Sequence, residues 1–94
     1  MVIVVVGFPG ARVEQTLTNA NAAATEFDAK PKILRVNDVF EISRMGNVAT
    51  PTLLINGKLK SSGRIPSVFE IASWIEEEFV EEALPAELEE GVAA

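Results

Sequence analysis

The sequence predicts an α/β domain of order β-α-β-α-β-β-α, with a four-stranded mixed sheet and flanking helices. Three observations point there. A β-branched run is followed by apolar residues at helical spacing, and the pair then repeats, which is how parallel crossover units read. An Asn-Gly dipeptide between two strand-like runs marks a tight hairpin. A Ser-x-x-Glu box then opens a long amphipathic helix.

Taken in order, Val2–Val6 reads as a central strand covered on both faces, closed by Gly7. Gly7-Phe8-Pro9-Gly10 is a turn. Val13, Leu17, Ala20, Ala24 and Phe27 then recur at steps of four and three, the stripe of a helix expected to run to Lys30-Pro31. Ile33, Leu34 and Val36 form a second strand. Asp38 caps a helix with Glu41 three residues on, and that helix should bury Val39, Ile42 and Met45 before stopping at Gly46. Thr52–Ile55 and Lys58–Ser62 are antiparallel strands joined through Asn56-Gly57. Ser67 and Glu70 open the last helix, whose stripe is Val68, Ile71, Ala72, Ile75 and Phe79, with Trp74 at its margin. Pro85 should end it. The expected division is a domain over 1–79 and an acidic, flexible tail over 80–94.

Composition excludes more than any motif supports. The 94 residues contain no cysteine and no histidine. There is thus no thiolate nucleophile, disulfide or cysteine metal site, and none of the imidazole that best moves protons near neutral pH. Residues 1–75 carry eight basic and six acidic side chains, while 76–94 carry eight acidic and none basic, so +2 and −8 give the net −6. An acidic end and scattered basic residues argue against nucleic acid. The apolar Met1–Phe8 run lacks the basic leader and length of a signal or membrane span, so the cytoplasm is the expected location. No cofactor or metal is expected. Glu76-Glu77-Glu78 and Glu81-Glu82 read as a solvated helix end, and Lys58 and Lys60 as protection of an exposed edge strand.

Two stretches carry a family resemblance. Ala49-Thr50-Pro51 stands directly before the third strand. The run Thr50-Pro51-Thr52-Leu53-Leu54-Ile55-Asn56-Gly57-Lys58 is followed by Gly63-Arg64-Ile65-Pro66-Ser67 and then by Glu70-Ile71 and Trp74-Ile75. Together they resemble the small thioredoxin-like proteins of bacteria and archaea, over residues 1–79 and most specifically over 49–75. The resemblance implies a thioredoxin fold, a cis proline at Pro51, and a face beside it where relatives pair with an extended substrate chain. In that family a Cys-x-x-Cys opens the first helix. Here Gly10 and Val13 stand at those two positions, and neither can ionise or be oxidised.

The resemblance implies a binding face at the start of the first helix, and the residues there suit one. Gly7 to Arg12 places a glycine-containing turn, free N–H groups and one arginine at a helix start, an anion-pocket geometry without the Gly-Lys-Ser/Thr ending of a phosphate loop. Phe8 and Pro9 are expected to stand exposed near Thr50, Pro51 and Ile65. The expected function is therefore a non-catalytic module holding a peptide or protein partner with Phe8, Pro9, Gly10, Arg12, Val13, Thr50, Pro51, Gly63 and Ile65. One alternative is a disabled or diverged thiol–disulfide oxidoreductase. Another is an assembly role through Trp74 and Phe79, the chain being a monomer or weak homodimer.

Overall fold

The computed structural model describes residues 1–46 and 49–84. Its elements follow the predicted order: β1 (Val2–Val6), α1 (Ala11–Ala24), β2 (Lys32–Val36), α2 (Val39–Arg44), β3 (Thr52–Ile55), β4 (Lys58–Ser62) and α3 (Val68–Ala83). The strands form one sheet in the order β2-β1-β3-β4. β1 pairs parallel with β2 and antiparallel with β3, and β3 pairs antiparallel with β4. The β3–β4 turn has φ 52 at Asn56 and φ 79 at Gly57, the left-handed pair that a two-residue hairpin needs.

Register sorts the sheet into two unlike faces. Ile3, Val5, Leu53 and Ile55 share one face and are fully buried, in a cluster with Val13, Ala20 and Ala23 of α1 and Ile71 and Ile75 of α3. The alanines let α1 lie close to the strands and to α3. On the opposite face the pairings Val4↔Leu34, Val4↔Leu54 and Leu54↔Leu59 draw an apolar row across all four strands. Leu34 and Leu59 at its ends are exposed, and Val4 and Leu54 are half-buried.

Several expectations are corrected. α1 stops at Ala24, well before Lys30-Pro31, because Glu26 and Phe27 donate to carbonyls only three residues back and tighten the last turn. Phe27 thus leaves the helix and stacks at a tilt on Phe79, with ring centroids 5.5 Å apart. α2 has six residues, fewer than two turns, and buries only Ile42. Val39 is exposed at its start and Met45 past its end. Trp74 and Phe79, by contrast, pack against the core as their places beside and on the α3 stripe predict. α3 runs one turn past Phe79, to Ala83, consistent with a helix that stops before Pro85; Pro85 and the residues after it lie outside the described residues.

Glu78 corrects the reading of the acidic helix end. It is only 4% exposed, and its carboxylate accepts from Lys60 Nζ at 3.1 Å and lies 3.3 Å from Lys58 Nζ. Register explains why these lysines do not simply line an exposed edge: Lys58 pairs with the core-face residue Ile55, and a shift falls between Leu53 and Leu54. Leu53 pairs with Ser61 and Leu54 with Leu59, so Lys60 is the extra residue of a β-bulge and reaches α3. Burial opposes ionisation of Glu78, but the two ammonium groups outweigh it and hold the carboxyl below the usual carboxylate range.

Candidate functional site

The end of β1 and the start of α1 meet the turn before β3 because residue 7 is a glycine. A Cβ there would lie 2.5 Å from Val13 Cγ2 and 3.5 Å from Thr50 Cβ. The Gly7 N–H donates to the Val36 carbonyl at 3.0 Å, and then the chain turns outward through Phe8 and Pro9, both exposed. Gly10 is the N-cap of α1 in an extended conformation and supplies no capping side chain. Its carbonyl takes the first helical bond from Glu14 N at 3.0 Å.

Opposite this start, the Thr50–Pro51 peptide is cis. The segment around it is pinned from several sides. The Ala49 carbonyl accepts from the hydroxyls of Ser62, at 3.0 Å, and of Thr52. The Pro51 carbonyl accepts from Gly63 N at 2.9 Å, and Gly63, at φ 79, brings its α-carbon so close to Ala49 that a Cβ would sit 3.1 Å from that methyl. The Gly63 carbonyl in turn accepts from the Arg12 guanidinium at 2.9 Å. One residue, Gly63, thus ties the proline turn to the first turn of α1 through its N–H and its C=O. Asn19 adds a second tie, donating to the Pro66 carbonyl at 2.9 Å.

Between these two segments lies a depression of about 320 Å³ lined by Phe8, Gly10, Ala11, Arg12, Val13, Thr50 and Pro51. Six of the nine predicted residues therefore share it. Gly63 joins through its hydrogen bonds to Pro51 and Arg12, while Pro9 and Ile65 lie outside the lining. Arg12, read as an anion ligand, is engaged with a main-chain carbonyl, a contact that sequence spacing cannot show across 51 residues. Thr50 keeps its backbone N–H and C=O without a partner among the described residues. Thr16 was missed as a constraint: it is fully buried and donates back to the Arg12 carbonyl at 2.8 Å, fixing the turn that carries the arginine.

The β4–α3 junction borders this region. Arg64 makes a two-pronged contact with Glu70, at 3.0 and 2.7 Å, while Glu70 also accepts from Ser67 N and Ser67 Oγ caps Glu70 N, each at 3.1 Å. Hydrogen bonding to Arg64, then to the Ser67 backbone, holds the Glu70 carboxyl down to about 2. Chemically the depression is an apolar recess with one cation on its rim and, among the described residues, an unpaired Thr50 N–H and C=O. It contains no group suited to nucleophilic or acid–base work. Among the described residues, no three acidic side chains gather where they could hold a metal ion, and no helix is long and apolar enough to cross a membrane.

A strand–helix–strand–helix unit followed by a hairpin and a packing helix, with a proline turn facing the first helix, is the thioredoxin architecture. The model of the family described as Thioredoxin domain matches residues 1–76, and the chain belongs to that family. It does so without the thiols, since it holds no cysteine. No protein of curated function matches the chain.

Proposed function

We infer that this chain is a non-catalytic thioredoxin-domain binding module that holds an extended peptide or protein segment across the Phe8–Pro51 depression. One observation carries this reading: among the described residues Thr50 has no partner for its N–H or its C=O, beside an apolar recess and on a turn held by hydrogen bonds from its neighbours. An added strand would satisfy both groups, and main-chain pairing of that kind needs no sulfur. Phe8 and Pro51 would take up side chains of the guest. Fixing the turn in advance through Gly63 and Arg12 lowers the ordering cost of binding. The test is affinity capture with wild type, Phe8→Asp and Thr50→Asp. The variants should lose most of the bound partners, and an unchanged set would overturn the reading.

A second reading, a diverged thiol–disulfide oxidoreductase, has its own support. A Cβ at Gly10 would find its nearest neighbour, the Phe8 carbonyl oxygen, 4.0 Å away, so the first atom of a side chain meets no more than ordinary contact there. The double variant Gly10→Cys/Val13→Cys tests it directly. Catalysed reduction of a disulfide substrate by dithiothreitol would favour a scaffold otherwise intact for electron exchange. A lack of turnover by a folded, reduced variant would count against that lineage.

A further inference from the structure

The outer face of α3 carries a second surface that shares no residue with the Phe8–Pro51 depression. Two adjoining hollows, of about 520 and 480 Å³, meet at Ser73 and Glu76. Phe69, Ser73, Glu76 and Val80 stand at i, i+4, i+7 and i+11, one line along the helix about 16 Å long. Phe69 is 81% exposed and Val80 59%, although both are large and apolar. Between them the small residues Ala72 and Ser73 leave a dip, with Phe27 and Val68 behind it. The profile is a knob, a hole and a second knob, spaced to receive a side chain of a packing helix.

Charge selects the occupant. Glu26, Glu76, Glu77 and Glu81 line the same hollows, and no basic residue does. Glu77 has a 4.0 Å approach from Lys60, while Glu26, Glu76 and Glu81 enter no ion pair among the described residues. Three unpaired carboxylates around an exposed phenylalanine are a poor seat for another acidic surface and a matched one for a cationic amphipathic segment. We propose that the α3 outer face docks a basic amphipathic helix of a partner protein, whose aliphatic or aromatic anchor enters the Ala72–Ser73 dip while lysines or arginines on its flanks face Glu26, Glu76 and Glu81. Sequence reading missed this surface because Phe69 falls off the core stripe of α3 and attracts no notice on its own.

The probe is a fluorescein-labelled peptide of about four helical turns, with leucines at i, i+3, i+4 and i+7 and lysines on both flanks. A second peptide carries glutamate in place of every lysine. Anisotropy with the full chain should give micromolar binding of the lysine peptide, as suits a small interface. Raising NaCl to about 0.5 M, where the Debye length is about 4 Å, should weaken it. Phe69→Ser should weaken it by about tenfold or more, Glu76→Lys/Glu81→Lys by a similar factor, and Phe8→Asp not at all. All three altered α3 positions are exposed, so the variants should keep the wild-type circular dichroism. On ¹⁵N-labelled wild type, amide shifts should centre on Phe69, Ser73 and Val80. The proposal fails if the glutamate peptide binds equally well, if Phe69→Ser changes nothing, or if the shifts gather around Phe8 and Thr50. It also fails if sedimentation shows a homodimer that Phe69→Ser dissolves, since the occupant would then be a second copy.

Discussion

Glu78→Gln removes one charge and keeps the shape, at the position where α3 meets the β4 bulge. At 3.1 Å from Lys60 and 3.3 Å from Lys58, each attraction is worth about 5 kcal/mol gross at an effective dielectric of 20. Desolvating a nearly buried carboxylate returns several kcal/mol of that. What the substitution costs depends on the cations left behind. Lys58 keeps half of its side chain in water and can turn away, but Lys60 is 15% exposed and cannot leave without moving the bulge. Breaking a fully buried pair costs ~3–5 kcal/mol; with one free lysine the expected loss is about 2–3 kcal/mol. For a domain this size that lowers the Tm by about 10 °C or more.

Urea unfolding at pH 7 measures the loss directly, with Glu77→Gln as the exposed control expected within about 0.5 kcal/mol of wild type. The gap must also depend on pH in a set direction. The carboxyl of Glu78 is lowered in the folded chain from 4.5, so its contribution is whole above that value and fades as pH falls through the lower folded one. Wild type and variant should therefore converge in acid. A variant as stable as wild type at pH 7, or a gap that widens on acidification, would refute the ion-pair account.

Gly7→Ala should destabilise the fold by about 1–3 kcal/mol, seen as a lower urea midpoint, because the new methyl meets Val13 Cγ2 at 2.5 Å and forces α1 away from the proline turn. Ile71→Ala, at a fully buried core position, should cost about 2–5 kcal/mol by the same assay. The Glu70 carboxyl, followed by carbon-detected NMR, should titrate at about 2 and move up toward the ordinary range in Arg64→Ala. Glu70 thus helps stability above the usual carboxylate range, and that help is lost as pH drops through about 2. Leu59→Lys, on an exposed edge position, should change the midpoint by less than about 0.5 kcal/mol in stability.

Local signals carried most of the architecture. The Ser67–Glu70 box, the Asp38 cap and the Asn56-Gly57 turn are each decided within four residues, and each forms where the sequence marks it. The failures share a cause. Nothing within reach of Val39 says that its helix will be too short to bury it. Nothing near Glu78 announces two lysines 18 and 20 residues back, the nearer of them the bulge residue. The site followed the same division. Gly10, Arg12 and Val13 come together with Thr50 and Pro51 because the fold brings the first helix to the proline turn, which the element order already implied. That Arg12 is spent on the Gly63 carbonyl depended on a backbone path visible only in three dimensions.

The open space beside Gly10 has a consequence for how this domain can change. The backbone there is extended, a conformation any residue adopts, and the helix begins without help from a side chain at that point. The first atom of a side chain at this address therefore meets no resistance from packing. Chemical identity at the helix mouth is uncoupled from foldability, and the scaffold offers a vacant socket into which a nucleophile, a charge or an affinity handle can be installed by a single codon.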